Sequence, residues 1–152
     1  MTTFLSKDDW FHIVKHAPLI SIDLVIINQN NQVLVGLRNN EPAKNVWFVP
    51  GGIIRKDERI EAAFQRITTN ELGHSIEYSA FDLLGMYEHH YSTNFAKIEG
   101  VSTHYICLAH KHTLKENILI TPDDQHTEFQ WMNITDLLSH DDVHDNTKAY
   151  FR

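Results

Sequence analysis

The chain has a single cysteine, Cys107, so an internal disulfide is impossible and nothing points to an oxidising compartment. That residue sits in the apolar run Tyr-Ile-Cys-Leu-Ala, where a free thiol behaves as a buried, inert hydrophobe. Glycine and proline are scarce and scattered, six and four residues, and no stretch is of low complexity or repeats at a solenoid-like period. Cations are also in deficit: 13 Lys and Arg stand against 20 Asp and Glu, a formal charge of −7. A nucleic-acid surface relies on stripes of Lys and Arg that this chain lacks, and the balance argues against one. No long apolar run opens the chain either. The N-terminal MTTFLSKDDWFHIVK carries Asp8 and Asp9, so it reads as neither a signal peptide nor a membrane span, and a soluble cytoplasmic protein is expected.

What is present fits one domain, residues 1–152, long enough to bury about two-thirds of the surface its unfolded form exposes. An anionic ligand needs local help in such an acidic chain. A divalent metal and a few placed arginines supply it, which leaves a small phosphorylated substrate compatible with the overall charge.

Ser6, followed by Asp8, Asp9 and the apolar Trp10, Phe11, Ile13 and Val14, predicts an N-capped amphipathic helix ending near Ala17-Pro18. Ile20 to Asn28 is rich in β-branched residues, 28–32 has turn chemistry and Val33 to Leu37 is apolar again, which predicts a hairpin. Trp47-Phe48-Val49 predicts a short strand stopped by Pro50-Gly51-Gly52, whose glycines let the backbone turn tightly and approach a ligand. From Arg59 to Leu72 the apolar Ile60, Ala63, Phe64, Ile67 and Leu72 recur at helical spacing, with Gly73 as the stop. Phe81 to Tyr87, Val101 to Ala109 and Glu128 to Met132 read as strands, and Ile134 to Leu138 begins a short helix. The expected architecture is α+β, an α/β/α sandwich with a mixed sheet and flanking helices.

Within this order, residues 51–73 hold the most informative pattern: Gly52, Glu58 after five residues, Arg66 after seven more, then Glu71 and Gly73. The stretch resembles the motif of the Nudix hydrolase family, with two losses. Ile67 and Asn70 stand where that motif has glutamates. On a helix at about 100° per residue, positions 67, 70 and 71 share one side, so a full set of carboxylates would make a metal-binding face. Only Glu71 remains, and one carboxylate suits one hard cation completed by substrate phosphates. Magnesium is the default, with manganese able to substitute. Glu58 and Arg66 fit an orienting pair that holds the glycine loop; the plain alternative is a solvated ion pair worth up to about 1 kcal/mol.

The likeness extends over nearly the whole chain. Trp47 to Gly52, the two departures, Asp124-Gln125-His126, Val143 to Asn146 and Ala149-Tyr150-Phe151 resemble the GDP-mannose mannosyl hydrolase branch of that family. The resemblance implies a Nudix-fold homodimer that binds a nucleotide sugar and one magnesium ion per subunit. It implies attack at the sugar carbon, with release of GDP and free hexose. By the same resemblance the metal ligands fall on the Gly51 carbonyl, Glu71 and Gln125, and the general base on His126. Substrate contacts fall on Phe4, Leu5, Trp10, Asp23, Arg38 and Tyr105. The branch has an arginine directly after the double glycine where this chain has Ile53, with Arg55 two residues further on.

The assignment is chemically coherent. Breaking a glycosidic bond puts positive charge on the sugar and negative charge on the departing diphosphate, which the cation and Arg38 would stabilise. A neutral imidazole can take a proton from water attacking the opposite face, giving inversion, while Asp23 could instead bind sugar hydroxyls. Two other activities remain open. One is ordinary diphosphate cleavage to GMP and a sugar phosphate, and the other is a silent module that binds a nucleotide sugar as a regulator. The chain has eleven histidines, most without catalytic work. His89-His90 and His110-Lys111-His112 lack Cys or carboxylate partners at ligand spacing, so they give only a weak zinc signal.

Overall fold

The computed structural model describes residues 5–121 and 126–152, residues 126 and 127 by backbone alone. Helix α1 (Lys7–His16) starts where Ser6 Oγ accepts the Asp9 amide at 3.1 Å and ends at extended Ala17, before Pro18. Strands β1 (Leu19–Ile27) and β2 (Gln32–Arg38) follow, joined through Asn28, whose Oδ1 accepts the amides of Asn30 and Gln32. They are the predicted hairpin strands, but they meet only at its closed end, Ile27 opposite Val33. Beyond that point each takes other partners. The short β3 (Trp47–Phe48) and β7 (His126–Asn133) pair with β2, while β4 (Gly51–Ile53) and β6 (Thr103–Thr113) pair with β1.

Among the described residues the result is one mixed seven-stranded sheet, in which β1 and β6 run parallel and β5 (Asp82–Tyr91) pairs antiparallel with β6 at the edge. Helix α2 (Ile60–Leu72) covers one face. Its Ala63, Phe64, Ile67 and Leu72 pack on Ile22, Leu24 and Ile26, all within 2% exposure. The other face buries Val25, Ile27, Val33 and Val35 with Leu137 from α3 (Ile134–Ser139) and with Val143 and Tyr150 on either side of α4 (Asp145–Lys148). Successive residues of β1 thus serve opposite cores, so the strand reads as an apolar run rather than an alternation. Gly73, at φ 77, closes α2 as its sequence position predicts. This is the α+β architecture expected above, an α/β/α sandwich with a mixed sheet and flanking helices.

One expectation changes in kind. Gly51 and Gly52 do not turn; they form a strand, Gly51 opposite Asp23 and Gly52 opposite Ile22. A Cβ on Gly51 would stand 2.4 Å from the Ile22 carbonyl oxygen and 2.7 Å from Asp23 Oδ1, so glycine serves close approach there rather than a special backbone angle.

Candidate active site

A cleft of about 210 Å³ gathers Asp23 from β1, Arg38 from the end of β2, Gly51 to Ile53 from β4, Glu71 from α2, His89 and Tyr91 from β5 and Tyr105 from β6. Asp23 lies between the fully buried Ile22 and Leu24, and strand alternation turns it away from their core and into the cleft. It accepts a short hydrogen bond from the Tyr150 hydroxyl. Cys107 Sγ lies 3.4 Å and His89 Nε2 3.3 Å from the same hydroxyl oxygen. Because Tyr150 gives its proton to Asp23, the imidazole must donate, which fixes the neutral His89 tautomer with hydrogen on Nε2.

Burial dominates the electrostatics of this floor. It raises Asp23 to about 6, against the lowering pull of the Tyr150 and Cys107 hydrogen bonds and the Arg38 charge. It lowers His89 to about 4, helped by His144 and His90, and pushes the Cys107 thiol up to about 12. At neutral pH the floor therefore carries an anionic Asp23 beside a neutral imidazole and a neutral, inert thiol. Asp23, His89 and Cys107 bring ligand-capable atoms within 4.8 Å of one another, but the Tyr150 hydroxyl already bonds all three and satisfies them.

The wall opposite is cationic and aromatic. Arg38 is half-buried, its guanidinium carbon 5.3 Å from the Phe48 ring centroid, and its side chain hydrogen-bonds Tyr105. His144 stacks on the other partner of this wall, 4.9 Å from Phe48, while Asn146 donates to the Tyr91 hydroxyl at 3.0 Å. The C-terminal segment thus fixes the aromatic side of the cleft.

Beside the cleft, Arg66 grips Glu58 through Nε to Oε2 at 2.8 Å and Nη2 to Oε1 at 2.8 Å, and Nη2 also donates to the Ile53 carbonyl at 2.7 Å. Glu58 Oε1 accepts the Arg55 amide at 3.0 Å as well, and the Arg66 bond holds its carboxyl below the usual range. This is a bidentate clamp between α2 and the loop after β4, rather than the solvated pair left open above. On α2 itself Ile67 is 2% exposed and packs under Gly52, whose added Cβ would meet Ile67 Cγ1 at 3.1 Å. Asn70 is exposed. Glu71, 8% exposed, is the carboxylate that α2 presents to the cleft.

Residues 17–152 match the NUDIX domain family. The chain belongs to the Nudix family. Low-salt glycan biosynthesis protein Agl8 of Haloferax volcanii is 40% identical over 130 residues, covering 85% of this chain and 80% of Agl8. The MutT protein of Methanosarcina mazei Go1 superposes with a TM-score of 0.70 at 17% identity, covering 90% of this chain and 92% of that one. The NUDIX domain of Shewanella oneidensis NrtR, complexed with ADP ribose, gives 0.66 at 16% identity and covers 97% of both chains. At these identities the two structures are similar in fold alone.

Nudix hydrolases use divalent metal ions, and the donors here fit a hard one. The Glu71 carboxylate and the Gly51 backbone line the same cleft and offer oxygen, and the softer His89 and Cys107 are engaged by Tyr150. Of the residues singled out by the Nudix resemblance, the fold brings Asp23, Arg38, Gly51, Glu71 and Tyr105 together. Leu5, half exposed, and Trp10, which packs 6.2 Å from Phe95, do not line this cleft. Phe4 and Gln125 lie outside the described residues, and His126 is described only as the residue of β7 opposite Arg38. Ile53 lines the cleft and Arg55 is absent from its lining.

The sequence assigned no role in the cleft to His89, Tyr91 or Tyr150, although His89 and Tyr150 stand in stretches singled out for other reasons. Period-two spacing of His89 and Tyr91 on one strand could have paired them, but nothing local ties Tyr150 to Asp23, 127 residues away.

Proposed function

We propose that this Nudix protein hydrolyses GDP-mannose, with GDP-glucose as a second substrate, to GDP and free hexose. Water displaces the diphosphate at the anomeric carbon with inversion. The observation that carries this reading is the single carboxylate on the cleft side of α2: Ile67 is packed under Gly52 and Asn70 faces solvent, leaving Glu71. A face so reduced suits charge neutralisation of a leaving group better than activation of water at phosphorus by clustered metals. The name of Agl8, a glycan biosynthesis protein, agrees with a sugar donor as substrate.

In this reading Glu71, the Gly51 carbonyl and Gln125 hold one magnesium ion, for which manganese substitutes, and the ion supplies positive charge to the diphosphate. Arg38 adds a fixed cation at the mouth of the cleft. Tyr105, bonded to Arg38, orients it and contacts substrate. Asp23, anionic at neutral pH, binds sugar hydroxyls, and His126 takes the proton of the attacking water. Phe4 belongs to the same proposed contacts, and Leu5 and Trp10 would reach substrate from beyond the cleft lining. The protein works as a homodimer in the cytoplasm, one domain per subunit, on a donor used to build glycans or surface polysaccharides.

Product analysis tests the reading. GDP-mannose incubated with enzyme and Mg2+ is expected to give GDP and hexose in equal amounts. GMP with hexose phosphate would instead establish ordinary diphosphate cleavage. Magnesium-dependent binding without turnover would establish a regulator, which Ile53 at the arginine position of the branch favours.

A further inference from the structure

Strand β5 sends His89 and Tyr91 into the cleft, so Glu88 and His90 emerge on the opposite face of the sheet. On that face His104 of β6 stands directly across from His90, so that it and Glu88, two residues before His90 on β5, supply the ligand partners expected above to be lacking. The two rings stack 4.2 Å apart at 22°, and His90 Nε2 lies 3.4 Å from Glu88 Oε2. One ligand-capable atom from each of Glu88, His90 and His104 falls within 4.8 Å of the other two.

We propose that Glu88, His90 and His104 form a second metal site, for a borderline divalent transition ion such as Zn2+. Two imidazoles and one carboxylate are the donors such ions take, whereas hard magnesium prefers oxygen and belongs to the cleft. The Nε2 atom of His104 is buried and meets no hydrogen-bond partner among the described residues. A mere exposed ion pair between His90 and Glu88 leaves that nitrogen unexplained. Glu88 and His90 are largely exposed, with side chains 72% and 63% accessible, so an ion has an entry path and room for water at its remaining positions.

Other histidine pairs do not compete on these terms. His12 and His16 approach within 4.5 Å on α1 but fall in no three-ligand group among the described residues. His110 is buried against Phe64 with Nδ1 3.0 Å from the Leu108 carbonyl, and His112 Nδ1 lies 2.9 Å from the Ala80 carbonyl. An ion at the new site would tie edge strand β5 to β6. It would thereby fix the register of His89 and Tyr105, the pair that the same residues flank on the cleft side.

Calorimetric titration with Zn2+, in saturating Mg2+ to occupy the cleft, reads the site without reference to activity. One equivalent per chain is expected, with affinity weakened at least tenfold by His90→Ala and by His104→Ala, weakened by Glu88→Gln, and unchanged by His12→Ala. Zn2+ should also raise the melting temperature of the unsubstituted protein and leave that of the exposed-site variant Glu88→Gln less affected. An isotherm indifferent to both histidine substitutions, or one abolished by His12→Ala, overturns the proposal.

Discussion

Asp23 shows what one residue costs this fold and what it supplies. Burial holds its carboxyl at about 6 in the folded protein, against an ordinary value of 3.8, so the folded chain binds that proton more tightly than the unfolded one. Stability from this group therefore falls as pH rises from about 4 to about 6, and the full cost, on the order of 3 kcal/mol at 1.36 kcal/mol per unit, stands above that range. Asp23→Asn removes the buried charge and keeps the acceptor for Tyr150. Calorimetric melting at pH 8 is expected to show the variant more stable by about 1 to 3 kcal/mol, with the advantage gone by pH 4. Turnover should fall at the same time. A variant less stable at pH 8 would contradict the electrostatic account. The sequence places Asp23 in the cleft by resemblance, but its raised carboxyl comes from burial, and Tyr150, whose hydrogen bond partly offsets that burial, is brought to it only by the folded chain.

At the scale of elements, α2 was the most legible part of the chain, because helical spacing of Ile60, Ala63, Phe64 and Ile67 and the stop at Gly73 are local signals. The Glu58–Arg66 clamp was legible for the same reason, its partners being eight residues apart. The pairing of β1 and β2 was less so. Turn chemistry at Asn28 specifies the closed end of a hairpin, whereas β4 and β7, which replace the hairpin partner further along, arrive from distant sequence. The clamp carries its own pH signature. The lowered carboxyl of Glu58 means that its stabilisation is present above the ordinary value of 4.5 and is lost as pH falls through the depressed one. Glu58→Gln, which disrupts a charged fork, is expected to cost on the order of 2 kcal/mol at pH 7 in urea unfolding. The difference from the unsubstituted protein should narrow in acid. Equal stability at pH 7 would reduce the clamp to a surface ion pair.

For the molecule as a whole, the sheet works as a collector. Parallel pairing of β1 with β6 sets Asp23 and Tyr105 on one side, β2 ends with Arg38 above them, and the C-terminal segment returns Tyr150 to the floor. The two faces of β5 then divide the chemistry, His89 in the cleft and His90 with Glu88 outside. No helix among the described residues is long and apolar enough to cross a membrane. The central claim is that water attacks the sugar and leaves the diphosphate whole. Hydrolysis of GDP-mannose in 18O-labelled water, followed by mass spectrometry of both products, tests it most directly: the account predicts the heavy oxygen on the hexose and none in GDP, and heavy oxygen on a phosphate product would contradict it.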